Sequence, residues 1–439
     1  MTNSSLTANH VESIPARNAV YRKIAIRVIP FLMLCYVAAY LDRINIGFAK
    51  LQMLDTLGFS NAVYGLGAGL FFIGYLIFEV PSNLYMMKVG AKKTICRIMI
   101  LWGLISASFA FVNTPAQFYV MRFLLGAAEA GFYPGVMLYL TFWFPASHRG
   151  KIVAFFVSAI PISGMIGAPL SGAILESTHG MHGVAGWQWM FILEAIPSVI
   201  LGLLCLKYLA DKPETAGFLS EPERSLVVDE LNAERALVAN DPTTHSLAAT
   251  LKDRRVWVMV VICFCQAICA YGLSFWLPTL VQQLNVGDVR TVGFYTAIPF
   301  TVALVVMNVV GRSSDNLRER RWHLAIPFLC VGLGLVASTF FATSLGMALL
   351  CLSIAAAGAY TTTVMLFSIP GLFLSGIGMA AGIALINCLG GLGGFLSPYI
   401  VGLVKDATGS TDYGVYAISA IAVIGATVAL SLPKKLVNR

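Results

Sequence analysis

Four ionisable residues sit deep inside apolar runs, and their types suit the chemistry of holding an anion and moving a proton. They are the adjacent pair Asp42 and Arg43 in VAAYLDRINIGFAK (37–50), and Arg122 with Glu129 in RFLLGAAE (122–129). A charge at mid-bilayer costs at least ~2.5–3.5 kcal/mol on insertion scales, so a retained one marks a functional candidate. Adjacent helical residues point about 100° apart, so Asp42 and Arg43 cannot neutralise each other, and each needs a partner on another segment. Arginine forks onto a carboxylate with two parallel hydrogen bonds. A carboxylate nearby can take and release a proton, because desolvation and a neighbouring cation act on it in opposite directions. The plainer alternative is an Asp–Arg and Glu–Arg network that only locks helices together. Function is favoured, since a purely structural network has cheaper apolar substitutes.

Helix rise sets the depth of these groups. Arg43 lies seven residues before Lys50, and Arg122 about six after the start of its run. At ~1.5 Å per residue, both sit about 10 Å below the same membrane face. Glu129, seven residues further on, shares a helix face with Arg122 and lies about 10 Å deeper. The first and fourth apolar runs are therefore expected to meet. Asp42 and Glu129 are then the proton carriers and Arg43 and Arg122 the ligands of a carboxylate, with Asp42 the counter-charge to an arginine. Tyr36 and Tyr40 share a face with Arg43, and Tyr75 stands one turn from Glu79. These tyrosines either line a cavity or simply pack, and spacing alone does not choose. Glu79, beside Pro81 near the end of its run, reads as a gate or structural residue, and Glu194 also lies towards a run's end.

The elements that must position these residues are membrane helices. Of 439 residues, 58% are hydrophobic and only 11% charged, where a soluble domain carries about 25% charged. Mean hydropathy is +0.79. Twelve runs reach the ~20 residues that cross a bilayer: 24–49, 62–87, 94–112, 116–141, 151–176, 187–209, 255–283, 291–312, 323–342, 345–368, 375–402 and 411–433. The fold class expected is an all-α polytopic membrane protein, embedded in the lipid bilayer of the cell (inner) membrane. No cleavable signal peptide is expected, because residues 1–19 are polar and the first run leads straight into further spans.

The net charge of +8 does not point to nucleic acid, because Lys and Arg gather in alternate loops. One side receives Arg17, Arg22, Lys23, Arg27, Lys88, Lys92, Lys93, Arg97, Arg149 and Lys151, then Arg312, Arg318, Arg320, Arg321, Lys434, Lys435 and Arg439. The other receives only Lys50, Arg290 and Lys405. The positive-inside rule then places both termini in the cytoplasm. The division expected is a cytoplasmic tail (1–22), a first six-helix half (23–209), a cytoplasmic linker (210–254), a second six-helix half (255–433) and a short tail (434–439). Within the linker, residues 220–235 read as a surface helix whose start, SEPE, looks like an N-terminal cap. Two halves around a linker suggest a transporter built from repeats, with its site between them.

All the deep charges fall in the first half, and from His323 to Lys405 no acidic or basic side chain interrupts the chain. Gly126, Gly131, Gly135 and Pro134 around Glu129 permit close packing and a kink, as do GGLGGFLSP (390–398) and GMIGAPLSG (164–172). Cys263, Cys265 and Cys269 form a cluster without His or carboxylate neighbours at ligand spacing, and read as buried thiols. No metal and no organic cofactor is expected. Five of the six histidines lie outside the runs and the sixth, His323, only opens one, which leaves a membrane enzyme without a catalytic constellation. A membrane sensor would need a signalling domain larger than the linker.

The chain resembles the major facilitator superfamily, and within it the anion:cation symporters. LDRINIGFAK (41–50), FEVPSNLYMMKVGAKK (78–93), the stretch 122–151, GWQWMFILEAIPSVILG (186–202), YGLSFWLP (271–278) and SGIGMAAGIALINCLGGLGG (375–394) carry the likeness. The resemblance implies the twelve-helix facilitator fold, a small organic anion as partner, and H+ as the coupling ion, the protein working as a monomer. Tartrate, sugar acids, hydroxyphenylacetate, phthalate and nicotinate are cargoes of the family resembled. It assigns the proton-coupling and arginine roles to Asp42, Arg43, Arg122 and Glu129, and adds Tyr40, Tyr75 and Asn387 as substrate ligands. The superfamily's loop motif falls on GRSSDNLRERR (311–321), which makes Gly311, Asp315 and Arg320 gate or structural residues. Met87, Phe367 and Gly391 depart from the pattern of relatives, the last two in the expected pocket. The function implied is proton-coupled symport of a small aromatic or hydroxy carboxylate, with exchange or facilitative transport as the alternative.

Overall fold

The computed structural model describes residues 4–239, 247–374 and 376–438. Among them, twelve helices are long and apolar enough to cross a membrane: Arg17–Leu57, Asn61–Val89, Ala91–Phe111, Pro115–Thr141, Ala146–Ser177 and Gly186–Tyr208, then Arg254–Gln282, Val289–Leu317, Arg321–Phe340, Leu345–Leu372, Gly382–Thr408 and Asp412–Ser431. They match the apolar runs one to one and are numbered here as spans one to twelve. An even number of crossings puts both chain ends at one end of the bundle, the near end; the opposite end is the far end.

Span starts follow from local chemistry. The side chains of Ser60 and Asp288 accept from the N–H groups of Val63 (3.2 Å) and Thr291 (2.7 Å), and Thr114 accepts from Gln117 (3.3 Å) just before Pro115. Each satisfies a donor that the first helical turn leaves free. Span one runs further than expected, because nothing in IGFAKLQMLDTL stops a helix until Gly58 caps it with a left-handed φ of 67°. Lys50 therefore lies within a helix and not in a loop.

Span four is broken beside the deep charges, and span one is tightened there. Asn45, two residues past Arg43, keeps a helical φ of −58° and donates to the Leu41 carbonyl at 2.9 Å, while its own carbonyl accepts from the Phe48 N–H at 2.9 Å. Span four stops at Glu129 and restarts at Phe132, with Gly131 at φ 89°. Pro134 falls in the first turn of the new segment, where its missing N–H costs little.

Spans one to six pack on one another, as do seven to twelve, and the halves meet through span two against eleven and span five against eight. A Cβ on Gly65 would collide with the Pro398 carbonyl, and one on Gly172 would stand 2.7 Å from the Val289 carbonyl. Such backbone contact needs glycine, and both contacts close the far end.

The linker is folded onto the first half. Its helix, Glu221–Ala239, is capped by Glu223, which accepts from the Ser220 N–H at 2.8 Å. Val227 and Leu231 are buried beneath it. Lys23 pairs with Glu223 (2.7 Å), Arg17 with Glu230 (3.5 Å) and Arg149 with Glu234 (3.3 Å). Lys23 and the Ser220 N–H hold the Glu223 carboxyl below its ordinary value. Charge is otherwise distributed very unevenly. No Asp, Glu, Lys, Arg or His occurs between Arg255 and Asp288, between Arg290 and Arg312, or between His323 and Lys405.

Candidate functional site

A cavity of about 120 Å³ lies between the two halves. The first half contributes Tyr36, Tyr40 and Arg43 from span one, Phe71, Tyr75 and Glu79 from span two, and Tyr133 from span four. The second contributes Gln266 and Tyr271 from span seven, Tyr360, Thr363 and Phe367 from span ten, and Asn387 and Gly391 from span eleven. The wall is largely aromatic, with a few polar groups converging, as small-molecule sites usually are.

Arg43 is its charged centre. Its Nε donates to Glu129 Oε1 at 3.1 Å, and Nη2 donates to the same oxygen in a still closer contact. Nη1 donates to the Tyr271 hydroxyl at 3.0 Å, so the guanidinium ties the two halves together. The rings of Tyr40, Phe71 and Tyr75 surround it at 5.4, 5.2 and 5.6 Å from the guanidinium carbon. Three of its five N–H groups are engaged, which leaves two for a ligand. Glu129 lies behind it, 2% exposed.

The other charged residues are placed differently from one another. Asp42 points away from the cavity into the first half, where it accepts from Trp102 Nε1 (3.1 Å), Ser106 Oγ (2.8 Å) and Ser198 Oγ (2.7 Å). The expected counter-charge role is thus corrected: neutral donors of spans three and six hold Asp42, and the partner of Arg43 is Glu129. Rotation about the helix axis explains this, since the two adjacent residues of span one point about 100° apart.

Arg122, fully buried, does not line the cavity. Its Nε and Nη2 donate to the carbonyls of Gly67 (3.4 Å) and Ala68 (3.3 Å), and its Nη1 has no partner among the described residues. Phe71 stands between the arginines, with both guanidinium carbons 5.2 Å from its ring centroid. Spans two and four touch too closely to let Arg122 through, because a Cβ on Gly126 would run into the Phe71 carbonyl.

Of the remaining expected residues, Tyr40, Tyr75, Glu79 and Asn387 all border the cavity. Asn387 Nδ2 donates to Glu79 Oε1 at 3.1 Å, a second bond between the halves, on the near side of Arg43. Gly311, Asp315 and Arg320 lie elsewhere, at the near end of spans eight and nine. Arg320 pairs with Asp315 at 2.5 Å and donates to Ser314 Oγ at 2.6 Å, and a Cβ on Gly311 would meet only Met365, at 3.9 Å. Beside them, burial opposes ionisation of Glu319, but the His323 ring, the N–H groups of Trp322 and His323, and Asn438 hold its carboxyl below the ordinary value.

Tyr271, Gln266, Tyr360 and Thr363 are site residues that the sequence reading did not single out. Gln266 donates to Thr363 Oγ1 at 2.7 Å, and Tyr360 shares a 2.9 Å hydrogen bond with Ser274. A signal existed: Tyr360, Thr363 and Phe367 recur at the spacing of one helix face, and Gln266 is the one amide in the middle of its apolar span.

The sequence profile of the Major Facilitator Superfamily matches residues 32–398. A protein of Agrobacterium vitis named as a candidate tartrate transporter is 47% identical over 415 residues, covering 94% of this chain and 95% of its own. A Pseudomonas putida protein named as a candidate metabolite transport protein, NicT, is 44% identical over 436 residues, 99% of each chain. Among solved structures, the xylose transporter XylE from Escherichia coli, in an inward-open conformation, superposes with a TM-score of 0.74 at 14% identity. That match covers 93% of this chain and 97% of the other, and at such identity it speaks for the fold.

Proposed function

This chain belongs to the Major Facilitator Superfamily and is a multi-pass membrane transporter, and on that premise we propose that it carries a small aromatic or hydroxy carboxylate into the cell together with a proton, by alternating access. The observation that carries this reading is Arg43, a cation with spare N–H groups facing an aromatic cavity and paired with a buried carboxylate. A carboxylate at this depth keeps its charge only while a cation offsets it. A substrate carboxylate that takes Arg43 leaves Glu129 uncompensated, and Glu129 then takes up the proton that travels with the cargo. Asp42 is proposed as a second carrier, since it has neutral hydrogen-bond donors and no cation to hold it as the anion, and so can keep a proton. Tyr40, Tyr75 and Asn387 orient the anion, and Glu79 acts at the near-end gate. The names of the relatives support an organic-acid cargo.

The test is a thermal-shift screen of purified protein against a panel of organic acids and their amides. A ligand that binds only the folded form stabilises it by RT ln(1 + [L]/Kd), about 2.7 kcal/mol at a hundredfold excess over Kd. At least one acid should raise the midpoint, and its amide should not. A panel in which no acid shifts the midpoint, or in which amides shift it equally, counts against a carboxylate cargo. Proton-driven accumulation of the hit in proteoliposomes then separates symport from exchange.

The proposal also places the near end in the cytoplasm, because the basic loops gather there. Thr114 and Ser225 are both exposed, at opposite ends of the bundle. Single cysteines at these positions, with the nine native ones replaced, are expected to react differently with an impermeant thiol reagent in intact cells. Thr114→Cys should label and Ser225→Cys should not; the reverse pattern would invert the orientation.

A further inference from the structure

Lys50 is 4% exposed, yet among the described residues no carboxylate forms an ion pair with it; Asp406, whose charge does reach it, is hydrogen-bonded instead to Asn61 and Ala62 of the first half. Every ion pair among the described residues lies elsewhere. Its ammonium instead lies 3.2 Å from the ring centroid of Trp276 and 4.9 Å from that of Tyr64, and donates to Thr279 Oγ1 at 3.3 Å. Trp276 and Thr279 belong to span seven, so this contact crosses from the first half to the second. It sits one helical segment beyond the cavity towards the far end, about 10 Å from Arg43 by helix rise. The surroundings are tight: a Cβ on Gly47 would stand 3.0 Å from the Phe275 carbonyl, and the Tyr64 hydroxyl donates to that carbonyl at 3.0 Å. Lys405 of span eleven brings a second ammonium to 5.7 Å from the same indole.

Burying an ammonium with one hydroxyl and two aromatic faces is costly, since cation–π attraction returns only part of the lost hydration. A sealing contact with that balance holds while the halves are closed and releases without deep trapping. When the far end parts, Lys50 loses both span-seven partners and keeps only Tyr64, which belongs to its own half. It is then a hydrated cation at the mouth of the cavity, where a small anion must pass.

We propose that Lys50 is a second carboxylate site of the transporter: freed from Trp276 it captures the incoming organic carboxylate ahead of Arg43, and closed on Trp276 it seals the far end behind the cargo. This rests on the carboxylate reading of the cavity for its ligand, while the seal stands on the cross-half contact itself.

Two measurements test it in the full chain. In a cysteine-replaced background, spin labels at Thr56 and Gln282, both exposed at the far end, report the separation of the halves. Lys50→Gln and Trp276→Leu should each raise the parted population at least threefold, with Trp276→Phe as the milder variant if leucine misfolds. In transport, the acid identified by the screen is presented to each face in turn. Lys50→Gln should raise KM about tenfold at the far-end face, leave it within twofold at the near-end face, and be rescued by Lys50→Arg. Unchanged distance distributions in both variants would overturn the seal, and a KM rise equal at both faces, or none, would overturn the capture site. A wild-type protein that binds and moves no organic acid would defeat the proposed cargo and the capture role, yet the distance measurement would still decide the seal.

Discussion

Arg43→Lys is expected to weaken carboxylate binding by about tenfold to a hundredfold while the protein still inserts and purifies as a single species. A charge-assisted hydrogen bond contributes about 1.5–3 kcal/mol, and each 1.4 kcal/mol is tenfold in affinity. Lysine keeps the charge but offers a point donor where the guanidinium offers a planar fork, so it cannot keep Tyr271 while passing a paired hydrogen bond from Glu129 to the substrate carboxylate. Equilibrium binding of the acid found by the thermal-shift screen measures the loss. Arg122→Lys makes the informative contrast. Its guanidinium is spent on the Gly67 and Ala68 carbonyls outside the cavity, so the change should lower thermal stability and leave affinity within about twofold. Equal losses in the two variants would mean that the carboxylate does not sit on Arg43 in the manner proposed.

The second large effect concerns Glu129→Gln. Glutamine fixes this position in the neutral form, which removes the proton that Glu129 is proposed to carry and releases Arg43 from its tightest partner. Accumulation driven by a pH gradient should fall to background. Substrate binding should persist, and exchange between two loaded compartments should persist with it, because neither needs a proton to be picked up or returned. Gradient-driven accumulation at the wild-type level would move the proton to Asp42 or Glu79. Asp42→Asn is expected to act differently from a broken ion pair, since Asp42 is held by Trp102, Ser106 and Ser198 and by no cation.

Hydropathy made every span legible, because a bilayer demands long uninterrupted apolar helices and little else in the chain meets that demand. Depth was legible only in part: the helix runs on past Lys50 to Leu57, so Arg43 lies deeper than the count from Lys50 gave, level with Glu129, which it bonds, and not with Arg122, which Phe71 separates from it. Azimuth was the weak point. A sequence shows that Asp42 and Arg43 diverge, yet which of them faces the cavity depends on how span one is rotated among its neighbours. The same uncertainty hid Arg122, whose path to the cavity is closed by the contact of Gly126 with Phe71. Neutral partners were harder still to foresee. Serines and tryptophans such as Ser106, Ser198 and Trp102 carry no charge signal, and Tyr271 is one aromatic among many. Lys50 looked like a loop marker because lysines usually end spans, and only the continuation of the helix to Leu57 puts it inside.

The second half's lack of embedded charge has an electrical consequence. When one half rocks against the other around a fixed site, a voltage acts on whatever charge is carried through the field, at about 2.3 kcal/mol per elementary charge per 100 mV. Spans seven to twelve carry no fixed charge between their ends, so their movement contributes almost no gating current of its own. Charge fixed in the protein returns over a full cycle, so under the proposed symport the net current counts cargo alone: a monoanion with one proton crosses silently, a dianion with one proton carries negative charge inward against a resting potential, and a monoanion with two protons is driven by it. The sign of the current thus reads the ratio of protons to carboxylates without any measurement of pH.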